Sequence, residues 1–284
     1  MQSEYTEEFY HALRERTRRS ARVVVPLILE LVEPRSVVDV GCGIGIWLSV
    51  FKEHGVTDVL GIDGNHISRD ISEIEAEQFL ACDLTERLEI NRQFDLVVSL
   101  EVAEHLPSES AELFVDSLTR LGPVILFSAA VPFQGGTHHV NEQWPDYWVR
   151  LFGARGYLVI DPIRRRIWRN TDVDFWYCQN SLIFVRQNDL DHYPLLRDEV
   201  EYTRAAQLSI VHPKLLSQLA TAWAAGQSEI EALRIDKARF KGEAEKFKAK
   251  ADPRNMSLRG VVNAFPTILD SAIKKRMSRL FSGR

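Results

Sequence analysis

Seven short apolar runs alternate with helical stretches from Ser36 onward, and this alternation limits the possible folds more than any other feature of the chain. The runs are "SVVDV" (36–40), "DVLGID" (58–63), "EQFLACD" (77–83), "FDLVVSL" (94–100), "PVILFSA" (123–129), "YLVID" (157–161) and "SLIFVR" (181–186). Between them, Ile46 to His54, closed by Gly55, reads as a helix, as do "SAELFVDSLTRLG" and "WPDYWVRLFGARG". Runs apolar on both faces are strands covered on both sides. Strands alternating with helices imply right-handed crossovers. The expected fold is therefore α/β, a doubly wound and mostly parallel seven-stranded sheet. The last two runs lie close together and predict an antiparallel edge. Ahead of the sheet, helical spacing extends from about Glu7 to Val32, with an interruption expected at Pro26.

The sequence divides into three parts: residues 1–190 for the sheet domain with its N-terminal helix, 191–253 for a helical extension, and 254–284 for a tail. No proline interrupts the chain between Pro213 and Pro253. There Leu219, Trp223, Ile230, Leu233, Phe240, Ala244, Phe247 and Ala251 recur every three to four residues, broken by Gly226 and Lys237. The pattern suits either a helix folded back on its own domain or an oligomerisation helix, a short coiled coil. The tail carries seven basic residues and one acid, Asp270, a balance of +6 that leaves −11 on residues 1–253. A basic amphipathic tail on an acidic body suits peripheral contact with a membrane surface or a partner-bound role. Cys42, Cys82 and Cys178 lie far apart and form no CxxC pair, which fits a reducing compartment. The polar, acidic start shows no secretory leader, and no apolar run reaches membrane-spanning length. The chain reads as cytoplasmic.

The run "VVDVGCGIGIW" ends the first predicted strand in Gly41, Gly43 and Gly45, just before a helix. In a doubly wound sheet ligands bind beyond the carboxyl ends of the strands, and glycines there allow a tight turn and a close approach. The D-x-G-x-G-x-G spacing from Asp39 is not the G-x-G-x-x-G of a pyrophosphate site. Asp63 follows 24 residues later at the end of the second strand, placed to accept both hydroxyls of a ribose. Asp83 ends the third, where an adenine amino group could be held. Acids at three successive strand ends are hard to explain by packing. Together they describe a pocket for an adenosine without phosphates.

"VVDVGCGIG", "GID", "ACDL" and "FDLVVSLEVAEHLP" together resemble the class I S-adenosylmethionine-dependent methyltransferases over roughly residues 20–186. The resemblance implies a Rossmann-like methyltransferase fold with S-adenosylmethionine as cofactor. Gly41, Gly43 and Gly45 would pass under its methionine and ribose, Asp63 would hold the ribose hydroxyls, and Asp83 with Leu84 would flank the adenine. Asp39 and Leu100 complete the implied cofactor-binding set.

Two stretches carry acceptor-side chemistry. In "SLEVAEHLP", Glu101, Glu104 and His105 are spaced i, i+3 and i+4, so one helical turn would put them on one face. In "GGTHHVNEQW", His138, His139 and Glu142 follow the fifth strand. One reading has His139 take a hydroxyl proton while Glu142 orients its ring. The other has Glu101, Glu104, His105 and His139 hold a divalent ion, Mg2+ or Mn2+, that chelates a diol and lowers its pKa. The E-x-x-E-H arrangement with a later histidine resembles the metal site of small-RNA 2′-O-methyltransferases, and also the quinone-pathway O-methyltransferases. A histidine that only caps or lines the pocket is the plain alternative. His139 serves both active readings.

"RRRIWRNTDVDFWYCQN" mixes aromatic residues with Arg, Asn and Gln, which suits stacking on sugar rings; a plain β-hairpin is the alternative. "HVNEQWPDYW" with "WYCQNSLIFV" is similar to bacterial methyltransferases found with glycosyltransferases and polysaccharide synthesis. The expected reaction is methyl transfer to a hydroxyl of a sugar or glycan. DNA is not expected: Ser99, Leu100, Glu101 and Val102 stand where amino-methylating DNA enzymes carry an N-P-P-Y-like tetrapeptide. Three rivals remain. An RNA 2′-O-methyltransferase is disfavoured by the −11 balance; the others are a phenol or quinone O-methyltransferase and a non-catalytic scaffold with a vestigial pocket.

Overall fold

Why the apolar runs become strands is plain from their burial: every residue of two of them, Leu96–Leu100 and Val124–Ser128, is buried. In the computed structural model, which describes residues 7–64 and 71–250, the strands are β1 (Ser36–Val40), β2 (Asp58–Asp63), β3 (Phe79–Ala81), β4 (Leu96–Leu100), β5 (Val124–Ser128), β6 (Tyr157–Ile160) and β7 (Leu182–Arg186). They form one seven-stranded sheet in the order β3-β2-β1-β4-β5-β7-β6. Pairing is parallel from β3 through β5, with Val38 opposite both Leu60 and Val97. The antiparallel strand is β7, which lies inside the sheet between β5 and β6. The last two runs thus form the expected antiparallel edge, with β6 outermost.

The helices are α1 (Glu7–Val32), α2 (Ile46–Glu53), α3 (Ala111–Leu121), α4 (Pro145–Gly153), α5 (Arg164–Ile167), α6 (Phe175–Asn180), α7 (Pro194–Glu199) and α8 (Pro213–Lys250). One apolar layer joins α1 and α2 to one face of the sheet; the other joins α3 and α4 to the opposite face. The expected break at Pro26 does not occur, and α1 runs through it. A helical proline costs about 3 kcal/mol. Burial of Val24, Val25, Ile28 and Leu31 on that helix offsets the cost.

The chain forms two units, the first ending at Leu219 and the second beginning at Ala220. Residues 191–219, assigned above to the extension, fall in the first unit. Leu196 and Leu208 join its two apolar layers, and Leu215 packs with Val131 and Phe175. The basic tail 254–284 lies outside the described residues. Among those described, no helix is long and apolar enough to cross a membrane.

Candidate functional site

The parallel strands end at one edge of the sheet, and the loops there enclose a cavity of about 680 Å³. Gly41, Asp63, Asp83 and Leu84, from the ends of the first three strands, line it together with Glu101, Val102 and His105, which follow β4. The turn after β1 is held by Asp63, the last residue of β2. Its Oδ2 accepts from the Gly43 amide at 2.7 Å and its Oδ1 from the Gly64 amide at 2.6 Å. A carboxylate has about four lone-pair sites and is a suitable acceptor for ligand hydroxyls. Asp83 accepts from the Thr85 amide at 2.9 Å and its hydroxyl at 2.6 Å. The Thr85 bonds hold the Asp83 carboxyl below its ordinary range.

The three glycines have three different reasons. Gly41 has φ +85° and faces Val102: a Cβ there would lie 2.3 Å from Val102 Cγ2. Gly45 caps α2, where a Cβ would lie 2.9 Å from Ile74. Around Gly43, φ +55°, a Cβ would meet open space. Gly41 lines the cavity. The expectation that all three are bare because a cofactor lies across them is therefore corrected: side chains of the same chain fill the space at two of them.

Two further members of the expected cofactor set are placed elsewhere. Asp39 lies inside β1, paired with Gly61 and Val98, and is 2% exposed. It does not line the cavity, and its Oδ2 has no hydrogen-bond partner. Burial, reinforced by the nearby Asp63 charge, pushes its carboxyl well above the usual range. Leu100 is buried in the core at the end of β4.

On the acceptor side, the expected single helical turn does not form. Glu101 has a left-handed φ of +56°, and a short 3-10 turn begins only at Ala103. Glu101 Oε1 accepts from Asn180 Nδ2 at 3.0 Å and its Oε2 from Gln134 Nε2 at 2.7 Å. Gln179 donates to both Gln134 and Asn180 and closes this network. The bonding of Gln134, Gln179 and Asn180 around Glu101 was not anticipated; Asn180 lies 79 residues and Gln134 33 residues from Glu101 in the chain, and local spacing carries no signal of that.

Glu104, His105 and His139 do come together, each offering a ligand atom within 4.8 Å of the others. Glu104 is fully buried with no hydrogen bond to either oxygen. Burial, and then the neighbouring Glu101, raises its carboxyl to about 9. The His105 and His139 rings meet edge-on with centroids 4.8 Å apart. Burial, and then His139, holds the His105 imidazole below its ordinary value.

His139 Nδ1 lies 2.9 Å from Glu142 Oε1, and that carboxylate also accepts the amides of Phe133 at 2.8 Å and Gly135 at 2.7 Å. An acceptor-only carboxylate assigns the proton to Nδ1 and leaves Nε2 with a free lone pair. Gly136 makes room for the ring, since a Cβ there would lie 2.2 Å from Nε2. The paired glycines in "QGGTHH" were the overlooked signal. His138, expected beside His139 in catalysis, is an exposed turn residue at φ +61°, outside both cluster and cavity lining.

The segment 164–180 forms neither a stacking wall nor a hairpin. It folds as α5 and α6, in which Phe175, Tyr177, Cys178, Gln179 and Asn180 are buried. The buried Arg164 holds it together, donating to Asp161, to the Gln179 carbonyl at 2.9 Å and to the Leu208 carbonyl at 2.8 Å.

A doubly wound sheet with a glycine turn, paired acids at successive strand ends and a histidine cluster opposite defines a Rossmann-like methyltransferase. The methyltransferase domain family matches residues 12–177, and the chain belongs to it. It is 25% identical over 193 residues to a mitochondrial ubiquinone biosynthesis O-methyltransferase of Dictyostelium discoideum, covering 60% of this chain and 56% of that protein. It is 27% identical over 125 residues to a ubiquinone biosynthesis O-methyltransferase of Rhodopseudomonas palustris, covering 41% and 44%. The chain thus spans about half the length of the curated relatives it matches. A solved amino pentose methyltransferase from Micromonospora echinaspora aligns with 14% identity over 66% of this chain and 99% of that one, at a TM-score of 0.48.

Proposed function

We propose that the chain is an S-adenosylmethionine-dependent O-methyltransferase whose general base is His139. The observation that carries this reading is the His139–Glu142 pair, set beside His105, which lines the cavity. A cavity lined by Asp63 and Asp83, both hydrogen-bond acceptors, fits a nucleoside. When bound, the cofactor supplies an electrophilic methyl group on a sulfonium. The acceptor oxygen takes that methyl group while its proton passes to His139 Nε2. Glu142 keeps the Nδ1 proton in place and stabilises the imidazolium that results.

The buried, unpartnered Glu104 supports a second reading of the same cluster. Three ligand atoms of carboxylate and imidazole type suit a divalent ion, and a counter-charge there would return Glu104 to its ionised form. Glu104, His105 and His139 would hold such an ion, which supplies a Lewis acid that lowers the pKa of an acceptor hydroxyl. The expected fourth ligand, Glu101, is not in this cluster; its two oxygens accept from Asn180 and Gln134.

For the acceptor, one support of the sugar expectation was the segment 164–180, in which Phe175, Tyr177, Gln179 and Asn180 are buried. The ubiquinone-pathway relatives support a phenolic hydroxyl instead. The deciding experiment is methyl transfer by the full chain to a panel of catechols, polyprenyl phenols, sugars and nucleosides, with and without a chelator. Turnover on phenols that survives chelation is expected for His139 as a simple base. Activity lost on chelation and restored by Mg2+ or Mn2+ would move His139 into the ligand set. Turnover confined to glycans would overturn the phenolic assignment, and none on any oxygen acceptor the O-methyl reading.

A further inference from the structure

Helix α8 continues unbroken to Lys250 and leaves a row of apolar side chains bare. Trp223, Ile230, Leu233 and Phe240 are 69, 46, 61 and 51% exposed. Their spacing is a strict heptad. Taking Trp223 as position a, the a sites continue at Ile230, Lys237 and Ala244, and the d sites fall at Gly226, Leu233 and Phe240. Leu216 and Leu219 occupy a and d one heptad earlier, both exposed. Among the large exposed hydrophobic residues of 223–240, Ile235 alone falls off this seam, at the outer f position. A helix lying on a globular surface follows a stripe of period 3.6; a sustained repeat of 3.5 fits a supercoiled partner helix.

The flanking charges say which partner and in which direction. The g positions are Glu229, Asp236 and Glu243, all acidic; the e positions following them are Arg234, Lys241 and Lys248, all basic. In a parallel pair each g residue faces the e residue five positions on in the other strand, so every such contact joins opposite signs. In an antiparallel pair g faces g and e faces e, so every contact joins like signs. Within one chain Arg234 pairs with Glu231 at 3.6 Å and Asp236 with Arg239 at 3.2 Å, both i,i+3 contacts of a type that contributes little. Lys237 at an a site favours two strands, where a lysine can reach solvent, at some cost in stability.

We propose that residues 219–250 pair with the same segment of a second copy of this chain as a parallel, in-register, two-stranded coiled coil. The test uses the full chain and its solution mass by sedimentation equilibrium. Wild type is expected at twice the monomer mass. Ile230→Glu with Leu233→Glu is expected at monomer mass; both side chains are exposed in the single chain, so methyltransferase-domain unfolding should stay at the same temperature. A monomeric wild type overturns the proposal, as does a dimer that both substitutions leave intact.

Direction is tested by a charge-swapped chain carrying Glu229→Lys, Arg234→Glu, Asp236→Lys and Lys241→Glu. It should dimerise with itself and not exchange with wild type, because parallel mixing opposes like charges at every swapped contact. Preferred mixing of the two would establish an antiparallel pair and overturn the assignment.

Discussion

The two sides of the cavity follow opposite electrostatic plans. On the cofactor side the lining acids are already engaged: Asp63 by the amides of Gly43 and Gly64, Asp83 by Thr85. On the acceptor side Glu104 is buried with both oxygens unclaimed, next to two imidazoles in edge contact. Glu101 marks the border, since it lines the cavity yet is held by Gln134 and Asn180. The first side is a preformed binding surface built by backbone and short-range bonds. The second keeps groups that cost stability when left without partners. Perturbed, uncompensated groups of this kind mark where chemistry is done.

Separate substitutions should split that comparison into rate and affinity. His139→Ala is expected to lower turnover by about 10²–10⁴-fold, the usual worth of a positioned base. Cofactor affinity by calorimetry should stay nearly unchanged, because His139 is not among the cavity's lining residues. Asp63→Ala removes an ionised acceptor from two backbone amides, each such bond being worth about 1.5–3 kcal/mol. It should weaken cofactor binding by one to two orders of magnitude or more, while turnover at saturating cofactor changes far less. If His139→Ala abolishes binding, the two sides do not divide as described.

A smaller effect separates two glycines of the one turn. Gly41→Ala and Gly43→Ala both force an L-residue into the left-handed region, at about 1–2 kcal/mol. Gly41→Ala also drives a methyl group into Val102, whereas Gly43→Ala meets open space. Thermal unfolding should therefore place Gly41→Ala clearly below Gly43→Ala, and Val102→Ala in the Gly41→Ala background should recover part of the gap. Equal destabilisation would mean that backbone strain alone selects glycine at both positions.

What could be read beforehand follows the range of the interactions involved. Strands β1, β2, β4 and β5 were legible because burial on both faces writes a continuous apolar run. The His139–Glu142 pair was legible because both partners lie within three residues. Glu101 was misread because the i, i+3, i+4 rule presumes a helix, and one left-handed residue after β4 cancels it. The segment 164–180 was misread because its mixture of aromatic and amide side chains suits a ligand wall and a buried network equally. The choice was made by Arg164 and Glu101, whose partners are distant in the chain. Asp39 was grouped with Asp63 and Asp83 although Val40 follows it within the strand; Asp63 is the last residue of its own.

Asp39 gives the smallest prediction and the sharpest check on the division between the sides, since it is a buried acid with an oxygen that has no hydrogen-bond partner. Its carboxyl is raised by burial and by Asp63, so the folded chain holds that proton more tightly than the unfolded chain. The unfolded group ionises near pH 4, as an ordinary aspartate does at about 3.9. Above that pH the unfolded chain releases the proton first, and stability from this group falls as pH rises toward the folded value. Asp39→Asn removes the ionisation while keeping the shape. The variant should be more stable than wild type at pH 7 in urea unfolding, and the advantage should shrink toward pH 4. Cofactor affinity should not move, because Asp39 does not line the cavity. A variant less stable at pH 7 would show that the carboxylate is ionised and paired in the folded chain, and would place Asp39 with Asp63 as a working part of the binding surface.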